Sequence, residues 1–318
     1  MPQQRIFGLL KRHSNKIWAS VAAVLFLAAG TFLYDALKGY TLAEFHGAIT
    51  AVPVNHIYAA LGLTALSYVV LAGYDFSALY YIQKKMPKLR VFQAAFMGFA
   101  FSQNLGVAPV TGGSVRLRVY GSAGLGGLDV AKVVTFAVLT YSLGIMAIFG
   151  FLLAFLPSYL TNIDHLPIMA SRIIGAVTLM ALLGYVFYVE YRRKPFTFRG
   201  IEFQPPSARL SIVQLLITIV DLCLASAVLY MLLPDSNVIG FFNVFVIYVV
   251  ATTIGILSHV PGGLGVFDWV VLMMLGSVFA TPTIIGALLL YRIIYLFLPL
   301  IVAAISLMLF EMRQGKKA

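Results

Sequence analysis

His259-Val-Pro-Gly-Gly-Leu-Gly-Val-Phe-Asp268 lies inside an apolar segment running from about 238 to 280. Its counterpart, Asn104-Leu-Gly-Val-Ala-Pro-Val-Thr-Gly-Gly113, lies inside another from about 91 to 128. Proline removes a backbone donor and glycine loosens a helix, so both stretches are natural break points in helical runs. The expected hinge residues are Gly112 and Gly113 in one, and Pro261, Gly262, Gly263 and Gly265 in the other. Around them, continuous apolar runs fall near Ile17–Leu37, Asn55–Ile82, Val130–Leu156, Pro167–Glu190, Leu210–Leu233 and Thr283–Phe310. Roughly 20 apolar residues cross about 30 Å of hydrocarbon as helix. The chain therefore reads as an all-α polytopic membrane protein, with about six full spans and two broken or re-entrant helical hairpins.

Composition agrees. The 318 residues are 61% hydrophobic and 10% charged, against roughly 45–50% and 25% in soluble domains. No polar stretch is long enough for a separate soluble domain, so residues 1–318 read as a single transmembrane domain. The net charge of +11 comes largely from four short clusters. They are Arg5, Lys11, Arg12 and Lys16; Lys84, Lys85, Lys88 and Arg90; Arg192, Arg193, Lys194, Arg199 and Arg209; and Arg313, Lys316 and Lys317. Such clusters mark cytoplasmic loops rather than a nucleic-acid face. The loop 157–166, with Asp164 and no Lys or Arg, reads as external. Both termini then lie in the cytoplasm, and the run from Ile17 to Leu33 reads as an uncleaved first helix rather than a signal peptide. The lone cysteine, Cys223, excludes a disulfide framework and a thiol metal site.

This topology makes each broken segment leave and re-enter on one side, and divides the chain into oppositely oriented halves, about 17–156 and 167–310. Inverted repeats with broken segments in matching places are characteristic of transporters that bind near the bilayer midplane. Aligning Gly112-Gly113 with Gly262-Gly263 puts Arg118 at the position of Asp268. Two features fall outside the repeat. Leu42, Phe45, Ile49 and Val52 have the spacing of an interfacial helix, and the 191–209 loop has no equivalent.

Charged residues within spans cost about 2.5–3.5 kcal/mol on insertion scales, so each needs a partner or a purpose. Here they are Asp75, Asp221, Asp268, Arg116, Arg118 and Arg292. They could be structural ion pairs. Equally, two arginines beside a glycine-rich break suit a phosphate, through forked guanidinium donors and exposed backbone N–H groups. Tyr120 and Tyr295 could bond a headgroup or simply pack, and Asn104 could bond substrate or satisfy broken backbone. His259 reads as a helix-end residue. No metal-ligand spacing, P-loop or nucleophile–base pair is present, so no cofactor, metal, ATP-driven pumping or catalytic residue is expected.

Thr111-Gly-Gly-Ser-Val-Arg-Leu-Arg-Val-Tyr120, the His259–Asp268 motif, and Leu290-Tyr-Arg-Ile-Ile-Tyr295 with Pro299 together resemble the lysylphosphatidylglycerol synthase transmembrane (flippase-like) family. That family includes the N-terminal flippase domain of the multiple peptide resistance factor and shorter stand-alone inner-membrane proteins. The resemblance implies a bacterial inner-membrane protein that flips an anionic or aminoacylated phospholipid, such as lysylphosphatidylglycerol, without ATP, and so a part in cationic peptide resistance. It assigns the family's functional acid to Asp75 and its arginines to Arg116 and Arg118. The motif acid is usually glutamate, and Asp268 is one methylene shorter. Full-length relatives are phosphatidylglycerol lysyltransferases with a cytosolic transferase domain. This chain shows none and is expected not to be an enzyme, whether it stands alone or is part of something larger. The alternatives are a secondary transporter for a small solute and a non-transporting partner of a lipid-modifying enzyme. A homodimer is compatible with all three.

Overall fold

The computed structural model describes residues 41–105, 110–159, 167–192, 196–198, 201–203, 206–234 and 239–315. The expected first span, Ile17–Leu37, and Asp164 lie outside them. A short helix α1, Leu42–Thr50, precedes α2, Val54–Tyr81. Two shorter helices follow, α3, Lys88–Leu105, and α4, Thr111–Gly121. Next come the long α5, Gly127–Phe155, and α6, Ile168–Arg192. After α7, Ala208–Leu232, come α8, Phe241–Leu257, and α9, Val266–Leu275. The chain closes with α10, Thr281–Tyr291, a π-helical turn Arg292–Phe297, and α11, Leu298–Gly315. Among the described residues five helices are long and apolar enough to cross a membrane: Val54–Tyr81, Gly127–Phe155, Ile168–Tyr191, Ala208–Leu232 and Thr281–Gln314. The all-α reading holds with one addition, a small antiparallel hairpin of β1, Phe196–Phe198, and β2, Ile201–Phe203, in the basic 191–209 loop.

Prolines set several of the helix starts. Pro53, Pro87 and Pro167 each stand just before a helix, and their carbonyls accept a backbone N–H of its first turn, from His56, Arg90 and Ser171 respectively. Pro282 sits in the first turn of α10. Proline costs nothing there, where the first N–H groups have no helical partner.

The two expected breaks differ in kind. Between α8 and α9 the chain leaves helical geometry, through His259 at φ 57° and Gly262, Gly263 and Gly265 at 62°, 60° and 77°. Gly262 has no room for a side chain, since a Cβ there would lie 3.1 Å from the Asn104 carbonyl oxygen. In the first segment α3 ends at Leu105 and α4 begins at Thr111, with Gly112 and Gly113 as helical residues of α4. The two glycines expected to form a hinge are therefore part of a helix.

The described residues form two compact units whose boundaries fall inside helices. Unit one gathers those within 1–64, 99–112 and 225–318; unit two gathers 65–98 and 113–224. In unit one α1 lies against α10, where a Cβ on Gly286 would be 3.2 Å from that of Ala48.

The start of α1 is capped reciprocally. The Thr41 backbone N–H donates to Glu44 Oε2 at 2.6 Å and the Thr41 hydroxyl to the same oxygen at 2.9 Å. These two bonds, the backbone one first, hold the Glu44 carboxyl below the usual glutamate range. A lowered carboxyl stabilises the fold above its unfolded value and loses that contribution as pH falls through the folded one. Amide exchange in the first turn of α1, corrected for intrinsic rate, is expected to quicken on acidification. Glu44→Gln should abolish that dependence; an unchanged acid response in the variant would refute it.

Candidate functional site: buried ion pairs

In unit two, α4 presents Arg116 and Tyr120, one turn apart and therefore on one face, to Asp75 of α2. The Arg116 Nε lies 2.8 Å from Asp75 Oδ2 and its Nη2 lies 2.8 Å from Oδ1, the parallel geometry of a forked guanidinium–carboxylate pair. The Tyr120 hydroxyl donates to Oδ2 at 2.8 Å. Asp75 is 0% exposed and Arg116 3%. A glycine makes the approach possible, because a Cβ on Gly98 of α3 would lie 2.6 Å from Arg116 Nη1. Arg118 is exposed, on another side of α4.

Asp221 is buried in the same unit, and among the described residues no arginine pairs with it. The Ser67 hydroxyl donates to Oδ1 at 3.3 Å and the Tyr74 hydroxyl to Oδ2 at 3.3 Å.

Unit one holds a second pair. Arg292 donates Nε to Asp268 Oδ1 at 3.1 Å and Nη2 to Oδ2. Asp268 also accepts the Gly265 N–H at 2.9 Å, in the first turn of α9 where the helix dipole favours an anion. The aspartate thus reaches both partners despite its missing methylene. Arg292 opens the π-helical turn, in which the Leu298 N–H bonds the Ile293 carbonyl five residues back. Pro299 explains the widening: it has no N–H for the Tyr295 carbonyl, and its ring crowds that carbonyl in a regular helix.

Tyr295 is buried and stacks on Tyr291 at 5.1 Å, and Tyr291 shares a 2.8 Å hydroxyl contact with Tyr248. Asn104 gives its amide hydrogens to the carbonyls of Ala100 at 2.8 Å and Leu296 at 3.1 Å. His259 stands at the end of α8, its ring bonded to the Leu257 carbonyl at 2.9 Å. Among the described residues no cluster of three or more His, Cys, Asp or Glu is placed to hold a metal.

The position of Asp268 relative to Arg118 in the glycine alignment does not predict its partner, which is Arg292. Gly98 carries no charge or motif and was not singled out from sequence; only the Arg116 side chain packed on it gives it meaning.

The family described as the lysylphosphatidylglycerol synthase TM region matches residues 17–303. The uncharacterized protein slr0712 of Synechocystis is 33% identical over 94% of this chain and 93% of its own length. Inner membrane protein YbhN of Escherichia coli is 30% identical over 82% and 81%. Phosphatidylglycerol lysyltransferase of Staphylococcus haemolyticus is 25% identical over 89% of this chain, which covers 33% of that enzyme.

Proposed function

This chain belongs to the lysylphosphatidylglycerol synthase transmembrane family, and from that premise we propose that it moves an anionic or aminoacylated phospholipid between the leaflets of a bacterial inner membrane, without ATP and without making the lipid itself. The observation that carries this reading is the forked Arg116–Asp75 pair, buried among helices of bilayer length. A guanidinium holding a carboxylate through two parallel bonds presents the same fork to a phosphate. A lipid phosphate would displace Asp75 from Arg116, the freed carboxylate would meet a cationic headgroup such as a lysyl ester, and Tyr120 would bridge the exchange. Exposed Arg118 offers the headgroup its first contact, while the acyl tails stay in lipid. The Asp268–Arg292 pair would perform a like exchange in unit one. The break between α8 and α9 would act as a gate.

The full chain in liposomes with fluorescent phospholipid, followed by dithionite quenching, provides the test. Wild type is expected to quicken loss of inner-leaflet protection over empty vesicles. Arg116→Lys keeps the charge and loses the fork. A charged hydrogen bond is worth about 1.5–3 kcal/mol, so the variant should slow movement by about ten- to a hundredfold. No acceleration by wild type, or equal rates in both proteins, would sink the reading.

A further inference from the structure

Asp221 stands apart from the other buried acids. Asp75 and Asp268 each receive a guanidinium, whereas Asp221, 6% exposed, receives only the hydroxyls of Ser67 and Tyr74, and no cation pairs with it among the described residues. It also follows three other buried polar residues on α7, Ser211, Gln214 and Thr218, with a fifth, Ser226, beyond it. The spacing of three, four and three from Ser211 to Asp221 puts those four on one helical face. Ten residues of helix rise about 15 Å, half of a bilayer's hydrocarbon. The stripe therefore runs from the end of α7 beside the basic 191–209 loop down to bilayer depth.

Other helices complete a hydrogen-bonded track along its deeper part, from Gln214 to Asp221. Gln214 Nε2 donates to Thr140 Oγ1 of α5 at 2.6 Å. Thr218 Oγ1 lies 3.1 Å from the Gln214 carbonyl and 3.3 Å from that of Thr140. The Tyr74 hydroxyl reaches Thr218 Oγ1 at 3.2 Å as well as Asp221. Gln214 Oε1 is buried with no hydrogen-bond partner among the described residues, an acceptor left open on the track. Gly144 of α5 lets the stripe in, since a Cβ there would be 2.3 Å from Thr218. The titratable groups facing Asp221 are Tyr74 of α2 and, behind it, Tyr141 of α5, with Cys223 two residues along α7. None of these is cationic at neutral pH.

We propose that Asp221 is a proton-binding site, supplied along the Ser211–Gln214–Thr218 stripe from the aqueous phase at the basic end of α7, and that taking up and releasing this proton drives lipid movement. Water gives up the proton and an Asp221 oxygen accepts it, turning a carboxylate into a neutral acid that can hydrogen-bond Ser67 or Tyr74. A proton fits better than a metal ion, because among the described residues no group of three or more His, Cys, Asp or Glu is placed to hold one. The driving role rests on the lipid-moving reading above; the site itself does not.

Infrared difference spectra of the full chain in lipid, between mildly acidic and alkaline buffer, read the site directly. The C=O stretch of a protonated carboxyl is expected to vanish on alkalinisation, to be missing in Asp221→Asn, and to return shifted in Asp221→Glu. Gln214→Leu, which keeps the carboxyl, should slow its response to a pH jump. No such band in wild type, or an undiminished band in Asp221→Asn, overturns the proposal. Liposomes under an imposed pH gradient read the coupling. Lipid movement should rise with the gradient in one direction and fall in the other, and Asp221→Asn should lose that dependence. A titrating band with gradient-blind lipid movement overturns the coupling alone. A titrating band with no lipid movement at all refutes the lipid reading and leaves the site standing.

Discussion

Arg116→Met is expected to cost about 3–5 kcal/mol of stability, the usual penalty for stranding one member of a buried ion pair. The replacement leaves Asp75, wholly shielded from solvent, with only the Tyr120 hydroxyl of the bonds described above. Asp75→Leu should cost a similar amount, because Arg116 then has no carboxylate. The double variant Asp75→Leu/Arg116→Met should recover most of the loss, since an apolar pair of similar volume is often neutral or better at such a site. Denaturant unfolding in mixed micelles would give the double-mutant cycle. Additive single costs would mean that the two side chains do not act as a pair. A double variant that is stable yet inactive in liposomes would separate the pair's part in transport from any part in holding the fold.

Gly175→Ala is the second large effect. On α6, a Cβ at Gly175 would lie 2.3 Å from the Ala154 backbone nitrogen and 2.7 Å from the Gly150 carbonyl oxygen of α5. Backbone cannot rotate aside as a side-chain tip can, so the two helices must separate. Overpacking of this kind costs about 1–3 kcal/mol, and the backbone contact puts this case at the upper end. Gly184, on the same helix, is its control: nothing lies within 4 Å of a Cβ there. Gly184→Ala should be neutral or gain up to about 1 kcal/mol of helix propensity. Equal behaviour of the two variants in thermal unfolding would refute the close packing of α5 on α6.

Much of this fold is legible in the residues. Apolar runs end at prolines that cannot continue a helix, and Pro261 with its glycines marks a true interruption. Glycine by itself misleads in the first segment: Gly112 and Gly113 tolerate helix and lie inside α4. The six charged residues identify themselves, because hydrocarbon makes each expensive. Their pairing does not, since Asp75 and Arg116 are 41 residues apart and Asp268 and Arg292 are 24 apart. Two signals were present in the chain and carried no charge to draw notice. One is the small-xxx-small spacing of Gly150 with Ala154 and Ser171 with Gly175, a known basis for close helix contact in membranes. The other is the run of Ser211, Gln214 and Thr218 leading to Asp221.

The π-helical turn after Tyr291 inserts one extra residue into a single long rod, and one residue of helix is about 100° of rotation. The two parts of the rod are thereby free to face different surroundings. Before the turn, Ile284, Ala287, Leu288 and Tyr291 are enclosed by protein. Beyond it, Leu298, Ile301, Val302, Ile305, Met308, Leu309 and Met312 form an uninterrupted outward stripe of the kind that acyl chains cover. Deleting one residue within the turn would restore regular winding and swing that greasy stripe by the same angle, bringing the wrong side of the C-terminal helix to the bilayer.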